Sequence, residues 1–357
     1  MKAREGPSAL IIEILRGKIV ESRHRVSLAL VDSRNHLRLA FGDMNAPVYM
    51  RSSAKPFQAL PLVEKGFAAQ LELSIRQQAL ICASHAGRDE HAETALSILE
   101  KIELTESSLQ CGTHTPFDRS TAKRLLKQGE TLSPLRHNCS GKHAGMLLLA
   151  HSLGEDIETY LNPDHRVQRE ILQAFSGMVA LDEGDIDLGT DGCSAPNFAI
   201  PLPAAAYGYS RLMDPSELDE NRAQACKRIV QAMLSYPDMV AGDGEFDTDL
   251  MKVLKGRILS KGGAEGYQAL GIPSAIWPGK YAAGIVLKVQ DGDGAKRARN
   301  VACLAVLHAL ELISAEERKH LAGFDQRTLL NFRQIEVGEI RIASESLDRL
   351  HEAYERV

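Results

Sequence analysis

The chain has 357 residues, 44% of them hydrophobic and 25% charged, an ordinary globular composition long enough to bury one large core or two smaller ones. Its formal net charge is −5 at pH 7, with acidic and basic residues interspersed, so no basic face is offered to a phosphate backbone and nucleic acid is not an expected partner. The N-terminus reads Met1–Pro7, the apolar stretch that follows (Ala9–Ile12) is broken by Glu13, and the run Met146–Ala150 ends at His151; the first is too short for a signal-peptide core and the second falls far below the roughly 18 apolar residues of a membrane span, so a cytoplasmic protein without membrane contact is expected.

In chain order, the first fifty residues alternate with β period over Ala9–Leu15, Ile19–Ser22, Val26–Asp32 and His36–Phe41, separated by turns at Arg16-Gly17-Lys18 and Asp32–Asn35, which predicts an antiparallel meander. From Ser53 the period becomes helical. Helices are predicted from Pro56 to a stop at Gly66, then over Ser74–Ser84, Asp89–Ile102, Thr121–Lys127, Ser140–Leu153, Arg166–Met178, Pro203–Met213 and Glu217–Leu234, with a short strand at Asp187–Gly189. Strands return at Gly256–Ser260, Gly266–Gly271 and Tyr281–Val289, followed by the turn Asp291–Gly294 and a helix over Ala295–Ile313; the tail from Ala315 holds a helix and an edge strand at Gln334–Ile342. A sheet whose strands come from both chain ends, with helices between, is an α/β layer (1–51 and 256–357) plus an inserted, mainly helical lobe (52–255). No internal repeat or low-complexity tract interrupts it.

Six cysteines are scattered along the chain and would stay reduced in the cytoplasm; Cys226 and Cys303 lie in apolar helical patterns and read as core. The first constellation with chemistry is Arg51-Ser52-Ser53-Ala54-Lys55. Ser52 at the start of a helix would have Lys55 one turn below it on the same face, and a neutral lysine can take the proton from a serine hydroxyl. The spacing alone arises by chance about once or twice in such a chain and equally describes an N-cap serine before a surface lysine. Order adds weight: Lys261, on a predicted strand entering Gly262-Gly263, stands where penicillin-recognising enzymes carry a late lysine. Ser84, at the end of its helix, would face Lys261 if the fold brings them together, or simply bond its own backbone.

A second constellation joins Asn138-Cys139-Ser140-Gly141-Lys142-His143 with Thr190-Asp191-Gly192-Cys193-Ser194. The two thiols suit Zn²⁺, with lysine an unusual third partner, but spacing alone does not make a zinc site and favours packed thiols with a His143–Asp191 polar pair. A phosphate-binding loop is ruled out, because it needs glycine where Arg136 stands and Ser or Thr where His143 stands.

These segments, together with Pro56-Phe57-Gln58, Cys82-Ala83-Ser84-His85-Ala86-Gly87, Ala195-Pro196 and Ala264-Glu265-Gly266, in this order, resemble the rhizobial-type L-asparaginases. The resemblance implies a serine-β-lactamase-like, penicillin-binding-protein-like fold, a homodimer, and a deamidating site. In that site Ser52, Lys55, Ser84 and Lys261 would be catalytic, Arg51, His143 and Asp191 would meet L-asparagine, and Cys139, Lys142 and Cys193 would hold one Zn²⁺ per subunit. Two other readings compete. Another serine acyl hydrolase on this architecture would use Ser52, Lys55 and Lys261 equally well, but the Ser-Asp-Asn or Tyr-x-Asn element of such enzymes is missing between them; a zinc-dependent amino-acid-binding protein would have no use for two such lysines. The glycine-rich loop of threonine-nucleophile asparaginases is missing too.

Overall fold

In the computed structural model, which describes residues 8–325 and 327–355, the chain divides into two units. One comprises the described residues of Met1–Ser53, Ile200–Asp214 and Leu250–Val357; the other comprises Ala54–Ala199 and Pro215–Asp249. Met1–Pro7, used in the leader-peptide reading, lie outside the described residues. The strands are β1 (Leu10–Arg16), β2 (Ile19–Asp32), β3 (Leu37–Phe41), β4 (Val48–Tyr49), β5 (Asp187–Thr190), β6 (Pro196–Ile200), β7 (Leu259–Gly263), β8 (Tyr267–Ile272), β9 (Ala283–Val289), β10 (Arg327–Leu330) and β11 (Glu336–Ile342).

The first unit is built on an antiparallel sheet in the order β10-β11-β1-β2-β9-β8-β7, with β3 also paired to β2. Strands from both chain ends meet in it, as the sequence predicts. β2 is one strand where the sequence suggests two. Its polar middle stays in register because each side chain finds a partner: Arg23 bonds Glu13 (3.2 Å), His24 bonds Asp291 (2.7 Å) and Arg25 bonds Gln290 (3.2 Å). Buried Glu13 also accepts from Arg341 on β11 (3.4 Å). β11 is therefore not an edge strand: β1 and β10 flank it, and β10 was not foreseen.

Two further boundaries move for identifiable reasons. Lys255 and Gly256 both take left-handed φ (51° and 72°), so β7 begins at Leu259 and includes Lys261, Gly262 and Gly263. The helix expected from Ala295 starts at Arg299, because the buried Asp293 carboxylate accepts the backbone N–H groups of Arg297 (2.7 Å), Ala298 (3.0 Å) and Arg299 (2.9 Å). The helix Leu202–Met213, assigned by the sequence to the helical lobe, belongs to this unit. It lies so close on β9 that a Cβ at Gly284 would stand 1.9 Å from the carbonyl oxygen of Ala206.

The β2–β3 turn hangs on one buried carboxylate. Asp32 accepts the backbone N–H groups of Arg34 (2.9 Å) and His36 (3.0 Å) and the Arg38 guanidinium (2.8 Å). Burial pushes its pKa up, but the His36 and Arg34 amides and Arg38 outweigh that and hold it below the usual carboxylate range. Its contribution is thus complete above the unfolded value of about 3.9 and is lost as pH falls through the lower folded value. Asp32→Ala should cost about 2–3 kcal/mol in urea unfolding at neutral pH, and the difference from the parent chain should shrink below about pH 4.

The second unit is mainly helical. Ile75–Ile81 and Asp89–Leu99 pack with Ser140–Leu153, whose bounds are those the sequence predicts. β5 and β6 form a hairpin, Asp187 opposite Ala199 and Thr190 opposite Pro196, whose loop carries Asp191 to Ser194. β6 was missed because an all-buried strand opening on proline lacks alternation. All six cysteines are buried free thiols, Cys226 and Cys303 among the core. Among the described residues no helix is long and apolar enough to cross a membrane.

Candidate active site

In the first unit, Arg51 takes a left-handed φ of 52° and opens a 3-10 turn, Arg51–Ala54, that runs into the short helix Lys55–Gln58. The serine doublet in this turn is unequal. Ser53 is fully buried, donates its hydroxyl to the Lys261 carbonyl (2.9 Å), and accepts at its own carbonyl from the Tyr209 hydroxyl (2.7 Å). Ser52 is only half-buried. β7 can lie against this turn because Gly263 has no side chain: a Cβ there would meet the Met50 carbonyl oxygen at 2.6 Å. Lys261 is buried on β7, and its Nζ donates to the Gly262 carbonyl (2.9 Å).

In the second unit, buried Lys55 spends its three N–H donors on the Ala83 carbonyl, Ser84 Oγ (2.9 Å) and the Asn138 carbonyl (3.2 Å). Lys55 and Ser84 are thus one serine–lysine pair. Ser84 stands beyond its helix, which ends at Ile81, and its N–H donates to the Val240 carbonyl (2.8 Å). The two carbonyls on Lys55 are backbone atoms, invisible to a reading of side-chain types.

Cys139 is the N-cap residue of the Ser140–Leu153 helix, and Lys142 and His143 lie in its first turn. That helix end is seated by Gly141, where a Cβ would stand 2.2 Å from the Leu80 carbonyl oxygen, and by Ser140, which accepts from His85 (2.9 Å) and donates to the Leu135 carbonyl (2.8 Å). The hairpin loop brings Cys193 to the same place: Lys142 Nζ donates to Cys193 Sγ at 2.9 Å. Loop geometry is set by Asp191, whose carboxylate accepts from Gly192 N–H (2.8 Å), and by Ser194 at φ 69°.

The charges are mutually supporting. A hydrogen bond with Cys193 holds the Cys139 thiol well below its ordinary pKa against the opposing effect of burial, helped by Lys55 and Lys142, while the same bond and burial push Cys193 up. Burial pulls Lys142 down, but the Cys139 and Cys193 sulfurs and Asp191 outweigh it, so the ammonium is favoured. Burial pushes His143 down to about 4 and Cys111, a third thiol close by, up to about 12. His143 Nδ1 is 2.7 Å from the Tyr160 hydroxyl, and Cys193 acts on the ring as a second partner, although no well-aligned hydrogen bond reaches the buried Nε2 among the described residues. Among those residues no three His, Cys, Asp or Glu side chains gather to hold an ion. Cys139, Cys193 and the amine of Lys142 nonetheless form a buried donor set whose soft sulfurs fit Zn²⁺, provided the lysine gives up its proton.

Of the residues the sequence singles out, Arg51, Ser52 and Lys261 therefore belong to the first unit and Lys55, Ser84, Cys139, Lys142, His143, Asp191 and Cys193 to the second. The family model described as L-asparaginase II matches residues 12–342. The chain belongs to the L-asparaginase II family and is an amidohydrolase. Among solved structures it is similar to the covalent complex of a Bacillus subtilis glutaminase with 5-oxo-L-norleucine, at 11% identity over 74% of this chain and 79% of that one, TM-score 0.34. A β-lactamase from Burkholderia ambifaria is similar at 12% identity over 76% of this chain and 87% of that one, TM-score 0.33. Comparison with curated proteins found no match.

Proposed function

We propose that the protein is an L-asparaginase that hydrolyses the side-chain amide of L-asparagine through Ser52, acting as a homodimer with one zinc ion per subunit. The observation that carries this reading is the family match over residues 12–342; the buried Lys55–Ser84 pair supports the serine–lysine chemistry. Ser52 Oγ attacks the amide carbon and its proton passes to a neutral lysine, either Lys55 directly or through Ser84 and Lys261. Lys55 serves as that base in its neutral amine form, and Ser84, whose Oγ is hydrogen-bonded to it at 2.9 Å, can only relay a proton by giving up its own as it takes another. Protonated nitrogen leaves as ammonia. Water then attacks the aspartyl ester, the same base takes its proton, and Ser52 is restored with L-aspartate as product. Backbone N–H groups near Ser52 hold the oxyanion in both halves.

Cys139, Lys142 and Cys193 would hold the zinc, which would supply a Lewis-acidic positive charge able to orient the substrate's α-carboxylate, or its amine in the neutral form. His143, Asp191 and Arg51 bind the substrate. The test is zinc content and ammonia release measured on the same batch, for the parent chain and for Cys193→Ser. Zinc near one per chain with turnover of L-asparagine, and loss of the metal in Cys193→Ser, is the expected result. A parent chain that takes up no zinc would overturn the metal assignment, and one that leaves L-asparagine intact would overturn the activity.

A further inference from the structure

We propose that Tyr160 fixes His143 in the tautomer protonated at Nε2, which makes the ring a hydrogen-bond donor toward the Cys139–Lys142–Cys193 cluster and bars Nε2 from binding a metal there. Tyr160 is fully buried, and its hydroxyl oxygen accepts the backbone N–H of Gln110 at 3.0 Å, a group that can only donate. The hydroxyl hydrogen then needs an acceptor, and His143 Nδ1 stands 2.7 Å away, the ring edge-on to the phenol at 88°. Donation from Tyr160 to Nδ1 satisfies both atoms and leaves the ring proton on Nε2. The opposite direction would leave the buried phenol hydrogen without an acceptor, at a cost of about 1–3 kcal/mol.

Nε2 is buried with no well-aligned hydrogen bond among the described residues, and Cys193 is the side chain that acts on the ring as a hydrogen-bond partner. A buried N–H in that position calls for an acceptor, and a metal ligand needs a lone pair. The tautomer therefore separates two roles that a histidine beside two thiols could otherwise confuse. The ligand set ends at Cys139, Lys142 and Cys193, and His143 donates to an oxygen of the substrate. This last assignment rests on the proposed function. Sequence reasoning could not reach Tyr160, which lies in no motif with His143.

The experiment is a long-range ¹H–¹⁵N correlation spectrum of the full, zinc-loaded chain labelled with ¹⁵N-histidine, the His143 signals being identified by their loss in His143→Gln. The expected spectrum has a protonated Nε2 and an unprotonated Nδ1. In Tyr160→Phe, which keeps the ring and removes only the hydroxyl, the Nδ1–H form should appear and KM for L-asparagine should rise roughly tenfold, with kcat within about twofold. A parent chain with the proton on Nδ1, or a Tyr160→Phe chain with unchanged tautomer and KM, would overturn the proposal. Should Tyr160→Phe fail to fold, the spectrum of the parent chain decides. That spectrum reads the tautomer whether or not the chain hydrolyses asparagine, whereas absence of ammonia from the parent chain would refute the proposed function and leave the tautomer standing.

Discussion

Ser52→Ala should lower kcat for ammonia release from L-asparagine by roughly a thousandfold or more, while Ser53→Ala should keep turnover within a few-fold and instead lose stability. The two hydroxyls are neighbours of identical chemistry, so the contrast isolates position. Ser53 is fully buried, and its Oγ donates to the Lys261 carbonyl at 2.9 Å; removing it deletes a buried hydrogen bond, at a cost of about 1 kcal/mol. Ser52 is half-buried in the same turn and stands three residues before Lys55. Steady-state kinetics beside urea unfolding for both variants separates the two effects. Equal kinetic loss in both would mean that the turn, not one hydroxyl, is what catalysis needs.

Gly141→Ala should cost about 3 kcal/mol of unfolding free energy and also weaken metal retention. A single methyl group is enough because of what it meets: its Cβ would stand 2.2 Å from the Leu80 carbonyl oxygen, a backbone atom that cannot swing aside. The Ser140–Leu153 helix must then move away from Ile75–Ile81, and its first turn carries Lys142 and His143 with Cys139 as N-cap. Packing and site geometry are coupled through this one residue. Gly145, a turn later, makes a softer contact, 2.7 Å to Cγ2 of Ile81, so Gly145→Ala should be milder. Urea unfolding with zinc content after dialysis measures both, and a Gly141→Ala chain as stable and as metal-rich as its parent would contradict the close approach.

How much of this was legible depended on whether the information was local. The bounds of the Ser140–Leu153 helix follow from an apolar run ended by Gly154 at φ 69°, all within one stretch of chain. β2 was read as two strands because its polar centre is stabilised by Glu13, Asp291 and Gln290, side chains from elsewhere in the chain. Lys261 was rightly read onto a strand, but the bounds Gly256–Ser260 begin too early, since the left-handed turn at Lys255-Gly256 shifts β7 and only a backbone angle records it. Candidate site residues were nameable from motif order. Their partners were not: Lys55 is held by the carbonyls of Ala83 and Asn138, and His143 by a tyrosine in no motif.

The central claim, an amidohydrolase selective for asparagine, is tested most directly by ammonia release from L-asparagine and from L-glutamine by the purified parent chain at equal concentration. Steady release from L-asparagine, with aspartate appearing in equal amount, and far slower release from L-glutamine are the expected results. Release from L-glutamine at the greater rate, or from neither amide by folded, zinc-containing protein, would contradict that claim.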